Sequence, residues 1–161
     1  MARTITSTTT SRTNLDTNIY NTITADSSQP VTPSLGTKST KATGVVKLVN
    51  VFLKTLYTYK GSNYLNKDEG TTFVKIYDLA PNDEDAVLAR VQTAVDDAAE
   101  QIIYNQSTVV VPDNEKLQRA YIDSFSIVYG NGGKSEVKIT IGLSVVSGDS
   151  TAVQLPSTVH V

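Results

Sequence analysis

The chain of 161 residues contains no cysteine, no tryptophan, one methionine and one histidine. The missing thiols exclude disulfides, thiolate metal sites and a cysteine nucleophile. They agree with assembly in a reducing cytoplasm. A His-based triad or a two-His zinc site would have to use His160, next to the last residue, which reads as a solvated tail position. No apolar run approaches the roughly 18 residues of a membrane span, and no signal-peptide core is expected at the N-terminus. A net charge of −2 supplies no broad basic field. Neither nucleic acid nor membrane is therefore expected as a partner.

What is present divides into two regions. Residues 1–43 hold 19 Ser or Thr, with four basic residues (Arg3, Arg12, Lys38, Lys41) against two acids (Asp16, Asp26), a balance of +2. The remaining residues carry ten basic and fourteen acidic groups, a balance of −4. The first region has no apolar periodicity, and "SSQPVTPSLG" at 27–36 adds two prolines and a glycine. Such a segment buries too little apolar surface to offset its ordering entropy, so alone it should be extended or disordered. Its β-branched threonines would still let it lie as a strand on a partner.

Residues 44–161 read as a folded α+β domain. Val45, Leu48, Val49, Phe52, Leu53 and Leu56 form the stripe of an amphipathic helix, with Thr43 as its N-cap and an end near Tyr59. "TTFVKIYDL" is compatible with a short helix or a strand. Residues 81–106 predict a long helix capped by Asn82, with Asp83, Glu84 and Asp85 at the positive end of its dipole. Its buried face would carry Val87, Leu88, Val91, Val95, Ala98, Ala99, Ile102 and Ile103. Asp96, Asp97 and Glu100 would lie opposite, as a solvated face and not as a metal site.

Then the period changes to two. "STVVV" (107–111) predicts a short strand, and Tyr121, Asp123, Phe125, Ile127 and Tyr129 alternate with their neighbours along a longer one. Asn131-Gly132-Gly133 supplies hairpin-turn chemistry. Val137, Ile139, Ile141, Leu143 and Val145 share one face of the return strand. Ser147-Gly148-Asp149 turns into "TAVQL" (151–155), an edge strand ended by Pro156. Helices followed by an antiparallel sheet define the α+β class. The expectation is N-terminal helices packed on a small sheet, preceded by the Ser/Thr-rich arm.

No catalytic constellation emerges. Gly61 and Gly70 bracket "GSNYLNKDEG", but Gly70 is followed by two threonines, so a phosphate-binding P-loop fails. "YGNGGKS" lies between two antiparallel strands and is a turn. Asp68 and Glu69 are neighbours in sequence and point apart in extended chain, whereas a glycosidase needs two carboxylates facing one bond. We expect no enzyme activity, no cofactor and no metal.

The order of elements, with Leu56, Thr58, Gly61, Ser62, Asp68, Glu69, Gly70 and Thr71 between the first helix and the next short piece, resembles the baseplate-wedge or sheath-initiator family. That family belongs to contractile phage tails and type VI secretion systems. The resemblance covers roughly residues 45–155. It departs after the long helix, where Asn105-Gln106-Ser107 stands in place of the family's usual Glu-Pro-Arg element. The resemblance implies a structural virion protein, assembled in the host cytoplasm, that links wedge and hub to the sheath and initiates sheath assembly by strand pairing. Its implied partners are the sheath protein and other wedge and tube or hub proteins, with about six copies in a symmetric assembly. The implied contact residues are Gly61, Ser62, Asp68, Glu69, Gly70 and Thr71 in the loop. On the sheet they are Ile139, Ile141, Leu143, Val153 and Leu155. Two other readings are a fibre-attachment module, favoured by the linker-like arm, and an acid-dependent glycan hydrolase. Stable trimers would mark the fibre module. Loss of cell-wall hydrolysis on neutralising Asp68 and Glu69 would mark the hydrolase.

Overall fold

A computed structural model describes residues 16–17, 41–78, 83–129, 135–155 and 158–160. Most of the arm lies outside these residues, as do Leu79, Asn82, the turn at 131–133 and Pro156. The arm contributes two short strands that pair antiparallel, β1 (Asp16–Thr17) and β2 (Lys41–Ala42). Ala42 is already buried, so the packed domain begins two residues before the first helix.

Helix α1 spans Gly44–Tyr57 and buries Leu48, Val49, Phe52, Leu53 and Leu56, as its stripe requires. Thr43 occupies the N-cap position but its side chain bonds nothing there. The cap comes from afar: the Gly44 N–H donates to Glu115 Oε1 at 3.1 Å. Lys47 Nζ meets Glu115 Oε2 at 2.6 Å. A carboxylate here satisfies an orphan N–H and complements the helix dipole. A 3-10 helix of six residues follows at Phe73–Asp78, settling the ambiguous stretch as helical.

Helix α2 runs Glu84–Ser107. Its N-cap is Asp83, whose carboxylate accepts from the Ala86 N–H at 3.0 Å, in place of the expected Asn82. Val87, Val91, Ala94, Val95, Ala98, Ala99 and Ile102 are buried, while Leu88 is half-buried and Ile103 is exposed. The three acids Asp96, Asp97 and Glu100 lie away from the core.

The sheet has β3 (Leu117–Tyr129), β4 (Ser135–Val145), β5 (Ser150–Gln154) and β6 (Thr158–His160). Strand β4 is central. It pairs β3 along one side, and β5 then β6 along the other, all antiparallel. Val137, Ile139, Ile141, Leu143 and Val145 all face the core and are buried, as the alternation predicts. They meet α1 and α2 in one cluster with Phe52, Phe73, Val91 and Leu155. Each large aliphatic or aromatic side chain so buried stabilises by roughly 1.5–3 kcal/mol.

Three further expectations are corrected. Residues 107–111 do not form a strand: Ser107 closes α2, and Val109 and Val110 are exposed in an irregular connection. The alternation along β3 slips, because register shifts occur between Leu117 and Arg119 and between Ile122 and Ser124. The extra residue at Asp123 brings Ile122 onto the core side with Phe125 and Ile127, and leaves Asp123 exposed. His160 is no loose tail residue, since its backbone pairs with Ser135 in β6.

Candidate interaction surfaces

Three surfaces stand out: the connection after α1, the connection after α2 and the edges of the sheet. The first is tightly built. Thr58 and Thr71 close it, with the Thr71 N–H donating to the Thr58 carbonyl at 2.8 Å and the Lys60 N–H to the Thr71 carbonyl at 2.9 Å. Thr71 is buried, and its hydroxyl donates to the Leu56 carbonyl at 2.7 Å while accepting from the Phe73 N–H at 3.0 Å. Gly70 sits at φ 96°, where a Cβ would lie 2.3 Å from the Thr58 carbonyl oxygen. Only glycine fits both the angle and the space. Gln101 of α2 then holds both its backbone groups. The Gly70 N–H donates to Gln101 Oε1 at 2.9 Å, and Gln101 Nε2 donates to the Gly70 carbonyl at 2.8 Å.

The tip is pinned by its asparagines. Asn63 Oδ1 accepts from the Leu65 N–H at 3.0 Å, and its Nδ2 donates to Glu69 Oε2. Asn66 Oδ1 accepts from the Asp68 N–H at 3.3 Å. These are the local bonds by which Asn replaces a backbone turn. The result presents Tyr64 and Leu65 to solvent at 90% and 91% exposure. Of the loop residues expected at an interface, Gly61, Ser62 and Asp68 are exposed. Glu69 is half-buried, and Gly70 and Thr71 are buried and spent on internal bonds. Tyr64 and Leu65 were not foreseen. Their signal in the sequence was an apolar pair between two asparagines.

The connection after α2 is held by a second glutamine. Gln106 Nε2 donates to the Glu115 carbonyl at 2.9 Å, and its Oε1 accepts from the Leu117 N–H at 2.8 Å. This clamp positions Glu115 for its cap on α1. Ile103, Tyr104, Val109 and Val110 are exposed around it. Val109 and Val111, with Leu48, Val51 and Ile102, line a groove of about 180 Å³ beside the Lys47–Glu115 pair.

On the sheet, Ile139, Ile141, Leu143, Val153 and Leu155 have their side chains in the core. The backbone of β4 is also engaged on both sides, so Ile139, Ile141 and Leu143 present nothing to a partner. The outer edge of β5 remains. The Leu155 N–H donates to the Ile139 carbonyl at 2.8 Å. Antiparallel alternation then turns the N–H groups of Thr151 and Val153 inward, and those of Ala152 and Gln154 outward. Among the described residues β5 pairs only with β4. It carries no charge and no bulge. The opposite edge, β3, has Arg119, Asp123 and both register shifts, features that discourage pairing.

Among the described residues, no three Asp, Glu or His side chains are grouped as a metal site, and no helix is long and apolar enough to cross a membrane. Asp68 is exposed, while Glu69 is half-buried and accepts from Asn63 Nδ2. No protein family, curated protein or solved structure matches the chain.

Proposed function

We propose that this chain is a structural subunit of a contractile-tail baseplate that joins wedge and hub to the sheath and starts sheath assembly by strand pairing. The observation that carries the reading is the outer edge of β5. It is uncharged and unbulged, with Ala152 and Gln154 offering main-chain donors. A soluble monomer normally blunts such an edge, and β-augmentation gives it a use. The α+β order and the shaped Gly61–Gly70 loop support the resemblance to sheath initiators. In this role Tyr64 and Leu65 anchor one neighbour. Ile103, Tyr104, Val109 and Val110 serve where the family carries its Glu-Pro-Arg contact.

The virion is the resulting location. The sheath protein and the wedge and hub proteins are the partners, with about six copies per particle. Quantitative mass spectrometry of purified particles tests this. Stoichiometric recovery with baseplate proteins, at about six copies per tail, is the expected result. Absence from tails, or recovery as stable trimers with fibre proteins, would contradict it.

A further inference from the structure

A groove of about 540 Å³ runs between the first half of α2 and the middle of β3. Half-buried Leu88, Ile122 and Phe125 form its apolar floor, and exposed Asp85 and Asp123 stand on its rim. The bulge between Ile122 and Ser124 is what brings a carboxylate here. Such bulges re-aim side chains. The groove therefore asks for an extended segment that offers one apolar and one basic side chain on the same face.

We infer that the groove holds the N-terminal arm of the same chain, with Ile5 on the apolar floor and Arg3 between Asp85 and Asp123. Charge favours it, since the arm carries +2 against −4 for the rest of the chain. Composition favours it as well. Within residues 1–14 the one Ile, Leu, Val or Phe is Ile5, and Arg3 precedes it by two positions. In extended chain that spacing puts both side chains on one face.

The reach is sufficient. Asp16 pairs with Ala42 at the start of α1, and Gly44 is bonded to Glu115 just before β3. Asp123 lies six residue steps beyond Leu117, about 20 Å along the strand. Eleven steps separate Ile5 from Asp16 and span up to about 36 Å. The arm is thus long enough to reach the groove of its own molecule. The inference does not depend on the tail assignment.

The absence of cysteine allows a clean test on the full chain. A nitroxide label on a single introduced thiol, Thr6→Cys, should broaden the NMR signals of Leu88, Ile122 and Phe125 most strongly, while that of Tyr104, about 24 Å along α2 from Leu88, should be much less affected. Adding Arg3→Glu should reduce that broadening at least fivefold, and adding Asp123→Arg to the Arg3→Glu chain should restore it. Unbroadened groove signals, or broadening indifferent to Arg3→Glu, would overturn the inference. Broadening of unlabelled chains mixed with labelled ones would mean that a second copy supplies the arm, and would overturn it too.

Discussion

The connections that follow α1 and α2 solve the same problem by different means. Each leaves a helix and must enter the next element at a set angle, and each is held by a glutamine of α2 that grips backbone groups on both sides. After α1 the shape also comes from the chain itself: glycine at positive φ, asparagines bonded to their own turns, and a buried threonine. After α2 such internal punctuation is sparse. Three valines cross the surface, and the order comes from Gln106 and Glu115 reaching across the fold. Similar rigidity can be written locally or borrowed from elsewhere. Only the first kind is visible as a pattern of neighbours.

That difference can be broken at chosen positions. The largest effect is expected at Gly70→Ala, which adds backbone strain and drives a Cβ against the Thr58 carbonyl. A loss of about 3 kcal/mol or more in urea unfolding is predicted. Gly61→Ala, at φ 87° but with open space around it, should cost only about 1–2 kcal/mol. Equal losses would mean that the angle alone matters, and not the close approach.

The two glutamines come next. Gln101→Ala strands the N–H and the carbonyl of buried Gly70, and Gln106→Ala strands the Glu115 carbonyl and the Leu117 N–H. Each should cost about 1–3 kcal/mol, the usual penalty of leaving buried groups unpaired. Gln101→Ala should cost more, because the groups that it strands belong to a residue with no exposed alternative. A harmless Gln106→Ala would show that the second connection is not borrowed from α2 at all.

The smallest effect is expected at Val110→Ser. Val110 is fully exposed, so stability should change by less than about 0.5 kcal/mol. A larger loss would indicate that these valines are paired as the strand their composition suggests.

Much of the fold was legible because burial writes itself at short range. The stripe of α1 and the alternation of β4 each follow from neighbours two to four residues apart. The misreadings share a cause, since each depended on something distant. Val109-Val110-Val111 looked like a strand because β propensity reports a half-buried pleated surface, and among the described residues no second strand meets it. The faces of β3 slipped at Asp123, where one inserted residue reverses the alternation. Thr43 had the right residue type for a cap, yet the Gly44 N–H is satisfied by Glu115, 71 positions further along the chain.

The candidate surface was half legible for the same reason. The uncharged edge strand could be seen in "TAVQL". Which of its N–H groups point outward required the bond from Leu155 to Ile139. Side chains expected at the contact turned out to be core, because in a half-buried strand, central or edge, the face that looks most hydrophobic is the one already used.

Substitution of an outward-facing donor in β5 is the most direct test of strand pairing at this edge. Val153→Pro would remove a bond to β4 and disturb the domain itself. Ala152→Pro removes a donor that no described strand uses, at an edge position where proline is tolerated. Tails assembled with the Ala152→Pro chain should contain the subunit at the normal level but carry no extended sheath in electron micrographs. Full-length sheath on those tails would contradict strand pairing at β5 and with it the proposed role of this edge.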